Sequence, residues 1–379
     1  MTTKLYRTMS TSSSFPATAA VISKKEQKPR DKTDDLPFPM VYFSFIALFV
    51  AFKFDMLKAT MPTFDDYSYP DHPSHIPELR TAILPLFSFF IICPILYIWR
   101  TFVKTRYLAP TAKNWAGLHP GTPKYDKFLE QAWLALHYSV ATTLGYLVLR
   151  NEPWWPPVIS ESAQIAISAP QEERLRDQVD KPGLFILYSL QLGFYSLELI
   201  TLLTTKNRRS DAMVYFFHHI FTLFLLAGSW VSYNHRVGSL VLFLHDAGDI
   251  FLPIGKCYSY AEEHLRNVST PEQFERHKNT GMFFFVLFVI AFAIPRLFFF
   301  GGLIYQGYEK YHWYICCGVN LKTGYCGRCG FNRLWSIELL TTLGLLYPMH
   351  VYWFYLIVKM AIRLLLQPNN YEDVRSDED

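Results

Sequence analysis

Charge is scarce in this sequence: only 18% of its 379 residues are Asp, Glu, Lys or Arg, while 51% are hydrophobic. A soluble domain carries about 25% charged residues. The shortfall, with apolar blocks of roughly 18–25 residues, excludes a large soluble core and matches helices that cross the hydrocarbon of a bilayer. A cleavable signal peptide is also missing. Residues 1–36 hold no N-terminal apolar region, only a Ser/Thr cluster (STSSSFPAT, 10–18) and a basic run (KKEQKPRDK, 24–32), and read as a disordered tail. No internal repeat is visible, which leaves an inverted-repeat transporter with little support. No basic, aromatic-interleaved segment suggests a nucleic-acid partner.

What is present is an all-α pattern, a polytopic transmembrane helix bundle. Candidate spans fall at 38–54, 82–103, 129–149, 183–204, 213–233, 237–258, 282–305 and 335–363. That makes about eight spans, or seven if the short first block or the long last one is misjudged. The loops alternate in charge. The tail is basic, as are the loops carrying Arg100 to Lys127, Lys206 with Arg208 and Arg209, and Arg266 to Lys278; the loop holding Asp55, Asp65, Asp66, Asp71 and Glu78 is acidic. The positive-inside rule then places both termini in the cytosol. NEPWWPPV (151–158) reads as an interfacial aromatic segment on the far side.

The chain divides into a cytosolic tail (1–36), an N-terminal membrane region (37–114), a main membrane domain (115–365) and an acidic cytosolic tail (366–379). Cys93 and Cys257 lie in or near spans as packing residues. Cys316, Cys317, Cys326 and Cys329 cluster in one non-cytosolic loop, where disulfides are favoured over a zinc site because that compartment is oxidising. Ser376, followed by three acidic residues, fits an acidophilic-kinase site or a plain solvated tail. The Asn267-Val-Ser sequon sits in a cytosolic loop and is expected to stay unglycosylated.

The informative polar residues are inside the membrane. LFLHDAGDIFL (242–252) puts His245, Asp246 and Asp249 in an apolar run, and YFFHHIFTLFLL (215–226) puts His218, His219 and Thr222 at the same spacing one span earlier. One aspartate at mid-span costs about 2.5–3.5 kcal/mol on the insertion scale, so such groups face a bundle interior and are functional candidates. Positions i, i+1 and i+4 share a ~100° arc of a helix. Counted from the turn near Tyr233–Arg236, His218 and Asp249 reach similar depths, which forms an intramembrane chamber. A histidine paired with a carboxylate suits a general base, and a second suits oxyanion stabilisation or transient acyl carriage. Without a serine or cysteine nucleophile motif, this set fits acyl transfer to an external nucleophile. A structural polar network and a zinc or iron site are the alternatives. Glu198 stands near the start of the histidine span and could line the chamber; Glu130, His137, Arg296, Glu338 and His350 read as network or interface residues.

At these residues the sequence resembles the ceramide synthase family, acyl-CoA:sphingoid base N-acyltransferases with a TLC-type membrane domain. The stretch 211–256 is similar to the family's signature region: the adjacent histidines match His218 and His219, and the His-Asp-x-x-Asp element matches His245, Asp246 and Asp249. Thr222, Arg236 and Lys256 also fit, as do KFLEQAW (127–133) and HVYWFYLIVK (350–359). The sequence departs at Pro253, where many members carry an acidic residue and where a proline should disturb the helix below Asp249. The resemblance implies an endoplasmic reticulum membrane enzyme that takes fatty acyl-CoA and a sphingoid base among membrane lipids. It implies acyl-CoA as substrate and no cofactor or metal, and it allows a homodimer or a small regulatory subunit. Lys206, Arg208 and Arg209 at the chamber mouth could hold CoA phosphates. The rival readings are a non-enzymatic TLC-type protein of translocon or lipid handling, a proton-coupled transporter and an iron hydroxylase.

Overall fold

The computed structural model describes residues 83–156, 160–169, 171–204, 212–317 and 330–366. Among them it is mostly helical, without strands. Seven helices are long and apolar enough to cross a membrane. They match seven of the expected spans; the block at 38–54 lies outside the described residues. The helices are α1 (Ile83–Asn114), α2 (Pro123–Leu149), two short helices α3 (Ser160–Ser168) and α4 (Gln171–Asp180), then α5 (Pro182–Thr204), α6 (Ala212–Val231), α7 (His235–Val268), α8 (Pro271–Ala293), α9 (Phe300–Cys317) and α10 (Gly330–Leu366). A π-turn, Ile294–Phe299, joins α8 to α9 as one long span.

Local chemistry sets the ends. Thr122 caps α2 by accepting from the Tyr125 amide, and Pro123 takes the first turn, where no amide donor is needed. Thr270 and Gln273 form a reciprocal capping box at the start of α8. That cap needs only Ser269 and Thr270 to turn the chain, so α7 and α8 pack as a tight antiparallel pair.

α5 is the central helix, buried around most of its circumference from Leu184 to Ile200. A helix apolar on all sides needs neighbours on all sides, and α1, α2, α4 and α6 supply them. Gly193 makes the α1 contact possible, because a Cβ there would come within 2.6 Å of Ile92 Cγ2. Full burial of one such large apolar side chain contributes about 1.5–3 kcal/mol relative to exposure.

Two expectations change in detail. Trp154, expected at the membrane interface, is fully buried between the Lys181 ammonium (4.5 Å from its ring centre) and the Arg236 guanidinium (4.4 Å). The helices α3 and α4 fold over this region, and Asp177 and Glu173 of α4 pair with Arg236, so the tryptophan is a core residue there. The disturbance expected at Pro253 appears one turn earlier, as a one-residue interruption at Ile250. Proline has no amide hydrogen for the Asp249 carbonyl, but Ile250 keeps helical angles (φ −67°, ψ −44°), so α7 continues.

Candidate active site

Three helices bring three imidazoles together. His218 comes from α6, His245 from α7 and His350 from α10. The His245 and His350 ring centres are 4.8 Å apart, and His218 lies 6.2 Å from His350. Aromatic walls close the cluster: Trp353 is edge-on to His218 at 5.1 Å, and Phe300 is edge-on to His245 at 4.9 Å and to His350 at 5.3 Å. His219, one residue on, turns away toward Tyr195 and Tyr215, each 6.0 Å from its ring. Adjacent residues on a helix diverge by 100°, so the two histidines serve different walls.

The hydrogen bonds divide the labour. His245 Nδ1 lies 2.7 Å from the Val241 carbonyl, so Nδ1 carries the proton and donates, which leaves Nε2 with a free lone pair. Asp246 accepts from the Gln191 amide on α5, with the Tyr195 hydroxyl close by. Asp249 is ion-paired with Arg296, which also donates to the His245 carbonyl at 3.0 Å. Each aspartate is therefore held by a neighbour other than a histidine, and orients the cluster through Arg296 and α5.

Among the described residues, His218 Nδ1, His245 Nε2, both His350 ring nitrogens and Asp246 Oδ1 are buried with no hydrogen-bond partner. Each such atom costs about 1–3 kcal/mol when left unsatisfied. The four ring nitrogens, on three imidazoles in contact, form a set of polar positions that a polar reactant would satisfy. No three His, Cys, Asp or Glu side chains among the described residues converge closely enough to hold a metal ion.

The remaining expected site residues scatter. Thr222 spends its hydroxyl on the His218 carbonyl of its own helix at 2.8 Å. Glu198 is not in the histidine cluster; it pairs with Arg100 at 3.3 Å, beside Glu130 and Lys104. Arg236 is engaged at the other end, with Asp177 at 2.6 Å. Lys256 is half-buried on α7 beyond the Pro253 irregularity. Lys206, Arg208, Arg209, Cys326, Cys329 and Ser376 lie outside the described residues, and Cys316 and Cys317 end α9. The sequence reading missed His350 as a chamber residue, treating it as an interface group; its signal, a lone histidine in an apolar span, lacked a partner at known register. It also missed Gln191 and Tyr195, whose polarity is unremarkable in a string.

The TLC domain model matches residues 127–359, more than half of the chain. The match runs from the first residue of KFLEQAW to the last of HVYWFYLIVK. Curated relatives include Ceramide synthase 1 LOH3 of Arabidopsis thaliana, 31% identical over 257 residues, which are 68% of this chain and 75% of the relative. Ceramide synthase LOH1 of the same plant is 29% identical over 260 residues, 68% and 75% of the two chains. Ceramide synthase 3 of Mus musculus is 28% identical over 256 residues, 68% of this chain and 56% of its own. With a bundle of seven membrane-capable helices around a buried histidine cluster, this chain belongs to the ceramide synthase family of multi-pass TLC-domain membrane proteins.

Proposed function

We propose that the chain is an N-acyltransferase that moves a fatty acyl group from acyl-CoA to the amine of a long-chain sphingoid base, giving a ceramide. The observation that carries the reading is the three-helix histidine cluster with its unpartnered ring nitrogens, in a chain similar to proteins named ceramide synthase. Both lipids dissolve in a bilayer and can enter between helices. The base is His245: its proton sits on Nδ1, toward Val241, so Nε2 can take a proton from the attacking amine. His218 and His350 face it with nitrogens available to donate to the oxyanion of the tetrahedral intermediate or to carry the acyl group in transit. Asp249 and Arg296 offset each other's charge and fix α7 against the π-turn, and Asp246 is anchored to α5. Lys206, Arg208 and Arg209 precede α6 in the sequence and are the cations that would meet CoA phosphates in cytosolic water. Residence in the endoplasmic reticulum with cytosolic termini agrees with the alternating loop charge.

The test is amide formation in membranes expressing the native chain, His218→Ala or His245→Ala at equal abundance, with an acyl-CoA series and a sphingoid base. The native chain is expected to form ceramide, and each variant to lose about 10²–10⁴-fold in rate, the usual contribution of one positioned acid or base. Equal rates in native chain and variants would remove the histidines from the chemistry. No amide from a folded native chain would overturn the acyl-transfer reading.

A further inference from the structure

Resting on that reading, the reaction has a proton to dispose of. An ammonium R–NH3⁺ and a thioester R′CO–SCoA give the amide R–NH–COR′, the thiol HSCoA and one H⁺. The amine loses two protons as the C–N bond forms and the C–S bond breaks. One leaves on the thiol; the other starts on a histidine of a cluster flanked by Trp353 and Phe300 and must reach water.

Beside that cluster the structure offers a polar strip that begins at Asp246, the residue after His245. Gln191, Tyr195 and Glu198 lie at i, i+4 and i+7 on α5, along one face of the helix. Gln191 holds Asp246. Tyr195 stands beside Asp246 and 6.0 Å from the His219 ring. Three residues further, a rise of ~4.5 Å, Glu198 meets Arg100 at 3.3 Å, and the same guanidinium binds Glu130 at 2.7 Å. Tyr138 of α2 packs edge-on against Phe194 of α5, 5.7 Å between ring centres, beside the strip. Glu130 opens it outward: its side chain is 30% exposed, against 13% for Glu198. The ion pairs account for where Glu198 sits. They do not account for a polar face that continues from it, through Tyr195, to the aspartate behind the histidines.

We propose that this face of α5 conducts the surplus proton from the histidine cluster to the Glu130 end of the bundle, with Tyr195 and Glu198 as successive carriers. A tyrosine hydroxyl accepts a proton on its oxygen while releasing its own, so it relays without changing charge. Glu198 then holds the proton next to Arg100 and Lys104 of α1 and passes it to Glu130 of α2. At the inner end the strip is faced by Asp246 and Asp249 of α7, Arg296 of the π-turn and His219 of α6. Tyr195 and Glu198 are positioning and relay residues that touch neither lipid.

The test compares Tyr195→Phe, Glu198→Gln and Glu198→Asp with the native chain in membranes, measuring kcat, KM and the solvent deuterium isotope effect on kcat across pH 6–9. Tyr195→Phe and Glu198→Gln are expected to lower kcat by about tenfold, to leave KM for both lipids unchanged and to raise the isotope effect above the native value; Glu198→Asp should recover most of the rate. Tyr195→Phe removes a single hydroxyl and decides the matter if Glu198→Gln fails to accumulate. Native kcat in Tyr195→Phe, or a loss of kcat with an unchanged isotope effect, overturns the relay while native amide synthesis leaves the acyl-transfer reading standing. No amide from the native chain overturns that reading and the relay together.

Discussion

At the scale of single residues, the decisive partnership is Arg296 with Asp249. Arg296 is nearly inaccessible, and its guanidinium joins Asp249, the His245 carbonyl and the face of Phe292, 4.9 Å from the ring centre. Two opposite charges in an apolar interior barely offset their own desolvation, but removing one partner strands the other, at about 3–5 kcal/mol. Arg296→Met should therefore reduce the folded yield sharply. Replacing both, Arg296→Met with Asp249→Asn, should return much of that yield, because no unpaired charge remains. Thermal unfolding of detergent-extracted protein reads the difference. A double variant as unstable as Arg296→Met alone would mean that arginine acts by its shape rather than its charge. Amide synthesis should stay low in the double variant, since its aspartate at the cluster is gone.

At the scale of elements, one proline and one glycine shape the cluster. Pro295 cannot donate an amide hydrogen to the Ala291 carbonyl, and the helix loosens into the π-turn that presents Arg296. That same carbonyl faces Gly248: a Cβ built there would stand 2.8 Å from Ala291 O, a contact that needs one backbone to retreat. Gly248→Ala is thus expected to push α7 from α8 and to carry Asp249 off Arg296, with a loss of about 1–3 kcal/mol in stability and a larger loss of activity. Gly302→Ala, with no atom within 4 Å of its Cβ, is the control and should be neutral or slightly stabilising. The glycine inside HDAGD was visible in the sequence, but its reason was not, because the opposing carbonyl is 43 residues away in the chain. The spans themselves were legible, because membrane length and apolarity are local properties. Helical periodicity and depth made the approach of His218 and His245 legible, but they put His219 and Thr222 on the same face, and the structure turns His219 toward Tyr195 and Tyr215 and ties Thr222 to its own helix. His350 and the α5 strip needed the packing of non-adjacent helices, which periodicity does not encode. Trp154 went astray for the same reason: the pattern of Trp and Pro fits a membrane boundary until α4 folds over it.

At the scale of the whole molecule, the two ends of the bundle are built differently. One end holds the Arg100, Lys104, Glu130 and Glu198 cluster. The other is closed by α4, where Asp177 binds Arg236 at 2.6 Å and Lys181 at 3.1 Å, with His235 at 3.5 Å. Arg236 opens α7, so this clamp fixes the start of the helix that carries His245 and the aspartates. Burial by itself would raise the Asp177 carboxyl, but the contacts from His235, Arg236 and Lys181 outweigh it and hold the group well below the ordinary carboxylate range. A folded-state value below the unfolded one means that the charged form stabilises the fold. The contribution is complete above the unfolded value of about 3.9 and is lost as pH falls below it. Asp177→Asn should then cost about 1–3 kcal/mol near neutral pH, seen as a lower melting temperature in detergent. The gap between native chain and variant should hold from pH 7 to about 4 and narrow below that, because there the unfolded chain's carboxyl takes up a proton that the folded, paired Asp177 does not. A gap that stays constant below that pH would show that Asp177 holds α7 through packing and neutral hydrogen bonds, and that the charge of the clamp contributes nothing.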